Sequence, residues 1–105
     1  MTLEQTLLDV WREVMVVGSP SVEVGGTRHR VGRTRSAGLK VVSFTYEGRT
    51  IDGIEQNPET RSRWAQLARE GQRIVQFSTG GRYFANVCDG AIHRYPSWRS
   101  LGLPE

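Results

Sequence analysis

One cysteine, Cys88, stands in 105 residues, which excludes an intramolecular disulfide and a cysteine-rich zinc site. No apolar run approaches the roughly 18 residues that a membrane helix needs. The partly apolar start is broken by Glu4, Asp9, Arg12 and Glu13 with no basic segment ahead of it, so it does not read as a signal peptide. From these absences we expect a cytoplasmic protein that does not enter a membrane. Lysine is nearly missing as well, Lys40 being the one lysine beside thirteen arginines. His29, His93 and Cys88 are the only soft or imidazole ligands, and they lack zinc-type spacing. Neither a metal nor a cofactor is expected.

What is present fits one domain of ordinary size. A mean hydropathy of -0.45 points to a soluble chain. Fourteen basic residues against eleven acidic give a net charge of +3, and the pI is near 9.6. Much of the excess is local. Arg28, Arg30, Arg33, Arg35 and Lys40 face only Glu23 within residues 21–40. Arginine's planar fork donates two parallel hydrogen bonds to phosphate, so this cluster is the candidate contact for nucleic acid or another polyanion.

The pattern along the chain predicts a first helix over residues 3–16. Thr2 and Gln5 have capping-box spacing, and Leu3, Leu7, Val10, Trp11 and Val14 make one apolar stripe. Gly18 and Pro20 stop it. Residues 21–38 read as a Gly- and Arg-rich hairpin or loop, with Gly25-Gly26 turning Val22 and Val24 into a second short strand. From Leu39 the alternation of Val42, Phe44 and Tyr46 marks a strand, and Glu47-Gly48 turns it into a partner over 49–55. Ile51 and Ile54 are out of phase, which predicts a bulge near Gly53. Asn57-Pro58-Glu59 reads as the start of a helix that buries Trp64, Leu67 and Ala68 and ends at Gly71. Three strands follow, over 74–78, 83–87 and 91–95, joined by glycine turns. Residues 96–105 read as a tail.

The expected fold is α+β: a largely antiparallel sheet of about five strands with two helices packed on one face. A small barrel of the oligonucleotide-binding or SH3-like type is the alternative. The run IEQNPETRSRWAQLAREGQRIVQF, followed by GRYFANVCDG, resembles small bacterial proteins with no established activity. The resemblance spans about residues 40–95 and implies a compact strand–helix–strand module, without a mechanism.

Enzymatic constellations are thin. Cys88 and His93 would face each other across the Asp89-Gly90 turn as a thiol and its base, but a strand-end cysteine more commonly serves as a small apolar filler. Nothing forces Asp52, Glu55 and Asp89 together. Ser78-Thr79-Gly80-Gly81-Arg82 leads into a strand, so it lacks the helix start of a phosphate cradle. Tyr83-Phe84 within Arg82–Val87 has a faint likeness to a base-stacking strand, and one of the two rings must face outward. Arg61, Arg63 and Arg69 lie on the solvated side of the second helix. We therefore expect a non-enzymatic binding module that favours nucleic acid or another polyanion. The alternative is self-association as a homodimer, through strand edges and the tail residues Tyr95, Trp98 and Leu101.

Overall fold

The computed structural model describes residues 2–104. Thr2 starts the first helix as expected, its Oγ1 accepting from the Gln5 N–H at 3.1 Å. The Gln5 amide turns forward to Asp9 at 3.0 Å rather than back to the cap, so half of the capping box forms. Helix α1 (Leu3–Trp11) then widens into a π-helical segment, Arg12–Val17, which ends on Gly18 at φ 75°. The Lys40 ammonium donates to the Val14 carbonyl at 3.0 Å, satisfying an acceptor that this helix end leaves open.

The fold class is α+β, with an antiparallel sheet larger than the sequence suggested. Strands β1 (Ser21–Val24) and β2 (Thr27–Arg30) form a separate hairpin. Strands β3 (Gly32–Arg33), β4 (Lys40–Tyr46), β5 (Arg49–Glu55), β6 (Ile74–Thr79), β7 (Arg82–Cys88) and β8 (Ala91–Arg94) pair in chain order as a six-stranded meander. The order runs from β3 to β8 without closing, so the barrel alternative does not hold. Two turns show why the links are so short. Glu47-Gly48 and Asp89-Gly90 hold both central residues at positive φ (48° and 79°, 46° and 85°), the geometry that matches strand twist. Asp89 further fixes its turn by accepting from the Arg73 N–H at 3.1 Å.

Register divides the side chains between two faces. Val42, Phe44, Ile51, Val75, Phe77, Ala85 and Val87 point to one side, where α1, the π-helical segment and the β1–β2 hairpin cover them. Gly53 lies on this side opposite Phe77, and a Cβ there would stand 2.9 Å from the Phe77 ring. This close approach explains the broken Ile51/Ile54 phase, because β4 and β5 pair regularly and no bulge occurs at Gly53. The bulge lies instead between β6 and β7, at Phe77/Ser78. It gives β7 one extra residue, Phe84, which joins Ala85 in the core while Tyr83 points outward.

Three further expectations are corrected. Asn57 does not cap a long helix; its side chain accepts from the Glu59 N–H at 2.9 Å and closes a local turn. Helix α2 begins later, at Arg63–Arg69, capped by Ser62 through the Ala65 N–H at 3.0 Å. Trp64 is half-buried, and Ala65 is the buried residue of that helix. Its ring sits 5.0 Å from that of His93, whose register partner is Asn86, so α2 covers the other face from α1. Residues 96–104 are no loose tail. Pro96 leads into α3 (Ser97–Ser100), Trp98 is 2% exposed with its ring edge-on to Phe84 at 5.4 Å, and Leu103 is buried too.

Candidate functional site

The second face of the sheet is polar and only partly covered. Ser43, Asp52, Ile54, Gln76, Ser78, Tyr83, Asn86 and His93 share it by register. A groove of about 440 Å³ runs over it, floored by Ile54, Gln76 and Tyr95 and walled by Trp64, Tyr83 and Gln56. Its far wall is the loop Thr34–Leu39. This loop is cross-tied. Thr34 Oγ1 accepts from the Leu39 N–H at 3.0 Å, Thr34 N–H donates to Leu39 O at 2.8 Å, and Arg33 donates to the Gly38 carbonyl at 2.7 Å.

The polarity of the floor comes from a small amide–phenol cluster. Asn86 is fully buried, and its Nδ2 donates to the Tyr95 hydroxyl oxygen. Gln76 Nε2 donates to the same oxygen at 3.4 Å. The Asn86 Oδ1 and the Gln56 Oε1 are buried without a hydrogen-bond partner among the described residues. Buried polar atoms in native folds are overwhelmingly paired, so two orphans beside one groove mark it out. On the wall, Trp64 carries the Arg63 guanidinium 5.6 Å above its ring. Tyr83 is 51% exposed, one of few large side chains so placed.

The sequence-predicted cations fall on different elements. Arg28 and Arg30 alternate outward from β2, while His29 between them packs edge-on against Phe44 in the core at 6.4 Å. These two arginines therefore belong to the hairpin layered on the helix side. Arg28 is also engaged, donating to Ser21 Oγ at 2.9 Å and approaching Glu23 at 3.8 Å. The strand breaks at Val31, whose N–H donates to the Pro20 carbonyl at 2.9 Å, and the chain then enters the large sheet. Beyond that break Arg33 lies in β3 of the large sheet and Arg35 in the exposed stretch whose neighbours Thr34 and Ser36 line the groove. Lys40 is half-buried and committed to the Val14 carbonyl. Arg61 and Arg63 flank Ser62, which lines the groove on its opposite side.

Catalytic alternatives lose support from the geometry. Register sets Cys88 opposite Ala91 and His93 opposite Asn86, so the thiol and imidazole do not form the expected pair. The Cys88 thiol instead donates to Gln72 Oε1 at 2.9 Å. Burial raises its pKa above the ordinary thiol value, Asp89 adds to that, and Arg63 only partly opposes it. Such a thiol is a poor nucleophile at neutral pH. Among the described residues, no group of three or more His, Cys, Asp or Glu is placed to hold a metal ion.

Sequence reasoning missed Gln56, Gln76, Asn86 and Tyr95 as a cluster. The available signal was polar residues at even spacing on otherwise apolar strands, Gln76 in one and Asn86 in the next. No protein-family model, curated protein or solved structure matches this chain.

Proposed function

We propose that the protein is a non-enzymatic module that binds single-stranded nucleic acid in the groove on the open sheet face. The carrying observation is the half-exposed Tyr83 ring on the same groove that the loop after Arg33 walls off. Single-strand binders combine aromatic platforms with cations that follow the backbone. Here Tyr83 and Trp64 supply rings, and Arg35, Arg61 and Arg63 supply cations at the rim. Arg82 adds a further exposed cation beside Tyr83. Arg28 and Arg30, on the hairpin, extend the positive surface without touching the groove. Lys40 drops out of the contact set, since its ammonium already serves a helix end.

Anisotropy of a labelled single strand of roughly ten nucleotides, within the site sizes such proteins use, tests the reading. Affinity falls as salt rises. Tyr83→Ala weakens binding by about 1–3 kcal/mol, the worth of one stacked base. Arg35→Ser lowers the slope of log affinity against log salt by about 0.7, the share of one single-strand phosphate contact. No binding at low salt, or binding indifferent to both substitutions, defeats the proposal.

Self-association is a second reading, favoured by the unpaired outer edge of β8 and by Val16 and Val17, exposed at 48% and 59%. Trp98 no longer supports it, because that ring is spent inside the chain. A concentration-independent monomer mass by light scattering ends this second reading.

A further inference from the structure

We infer that a second copy of this chain docks along the outer edge of β8, strand to strand about a two-fold axis at His93, and that protonation of His93 loosens the pair. The inference rests on the self-association reading above and names its surface, register and control. The two ends of the meander differ. At one end β3 is two residues long and carries Arg33. At the other, β8 runs for four residues, three of them exposed.

The ladder shows which backbone groups of β8 are free. The Tyr95 N–H donates to the Phe84 carbonyl at 2.9 Å, and the register continues through Asn86↔His93 and Cys88↔Ala91. In an antiparallel pair alternate residues bond to the same neighbour, so His93 and Ala91 turn their N–H and C=O groups toward β7. Ile92 and Arg94 turn theirs outward, where no strand lies among the described residues. A symmetric partner satisfies every outward group in one register, Ile92 opposite the second copy's Arg94 and the reverse. Registers centred on Ile92 or Arg94 would need Gly90, held in its turn at φ 85°, or Pro96, which has no N–H.

That register sets the two His93 side chains directly opposite each other as a non-hydrogen-bonded pair, the closer kind. The charges nearby are otherwise committed. Arg94 is paired with Glu4 and lies 4.4 Å over the Trp98 ring. On its own face His93 meets the Trp64 ring of α2, which carries the Arg63 guanidinium, and shares β7 and the chain beyond β8 with Asn86, the Cys88 thiol and the Tyr95 phenol. Asp89, in the turn before β8, accepts from the Arg73 N–H. Histidine changes charge between pH 5 and 8, and like charges directly opposite across strands are destabilising. Neutral imidazoles therefore permit the pair, and protonated ones oppose it.

The experiment is sedimentation of the full chain over a concentration series at the two ends of the histidine range, pH 8 and pH 5. The dimer dissociation constant rises roughly tenfold from the first to the second, the Coulomb cost of two facing charges. His93→Arg gives the acid behaviour at both pH values. His93→Phe, which keeps a ring against Trp64, gives the pH 8 behaviour at both, and His29 titrates unchanged in either variant. Oxidative crosslinking checks the register: in a Cys88→Ala background His93→Cys forms a covalent dimer, whereas Ala91→Cys, which would face position 95, does not. A dimer indifferent to pH and to both His93 variants, or a crosslink at position 91 in place of 93, overturns the inference and leaves self-association standing. A monomer at every concentration at pH 8 removes both.

Discussion

The two faces of the meander are made by alternate residues of the same strands, yet they differ in almost every respect. On one side Phe44, Phe77, Phe84 and Val87 meet Leu3, Leu7 and Trp98 in a continuous apolar core. On the other, Gln76, Asn86 and Tyr95 form a polar cluster under a groove, and α2 covers only one end. The difference teaches where stability and recognition are separated. Burial of apolar area stabilises the first face, at roughly 25 cal/mol per Å². The second gives up part of that gain, keeping buried acceptors unpaired and rings partly exposed.

Substitutions that set one face against the other make the contrast measurable. The largest effect belongs to Trp98→Ala, which empties the space beside Phe84 and should cost about 3–5 kcal/mol in denaturant unfolding. A loss below 1 kcal/mol would return residues 96–104 to the status of a tail. Gly53→Ala comes next. Its Cβ would press on the Phe77 ring, and we expect an overpacking cost of about 1–3 kcal/mol from the same measurement. An unchanged midpoint would show that Phe77 yields freely and that the core face is less tightly packed than its geometry implies.

Trp64→Ala, on the groove side, should cost only about 1–2 kcal/mol, because a half-buried ring recovers part of a full aromatic burial. Equal losses for Trp64→Ala and Trp98→Ala would erase the distinction between the faces. Cys88 gives the smallest effect. Its folded pKa lies above the unfolded one, so in that interval the folded state holds more protons than the unfolded chain, and stability falls as pH rises. The stability difference between wild type and Cys88→Ala should therefore shift against the wild type across the alkaline thiol range. A difference constant with pH would refute the burial of the thiol.

Much of the fold was legible locally. Thr2, Gly18, Glu47-Gly48 and Asp89-Gly90 each act through backbone geometry within a few residues, and each does what its residue type implies. Alternation in Val42–Tyr46 identified β4 for the same reason. The candidate site was legible only in part. Arg35 was singled out as a cation, and Tyr83 as one of two adjacent rings of which one had to face outward, while the amide cluster was not, since Gln56, Gln76, Asn86 and Tyr95 are far apart in the chain. Lys40 was counted as a cation of the cluster, and a charge count cannot see the Val14 carbonyl that its ammonium serves.

By itself, then, the sequence determined the α+β class, the turns and most strand positions, because propensity, capping and side-chain period are short-range forces. Tertiary structure decided the rest. Phe77 over Gly53 replaced an expected bulge with a regular pair, and the true bulge sent Phe84 inward and Tyr83 outward. Trp98 became core rather than tail when it found Phe84. The break at Val31 divided the arginines between the hairpin and the large sheet, and the meander's register gathered Gln76, Asn86 and Tyr95 under one groove. These outcomes depend on which distant segments meet, and only packing of the whole chain sets that.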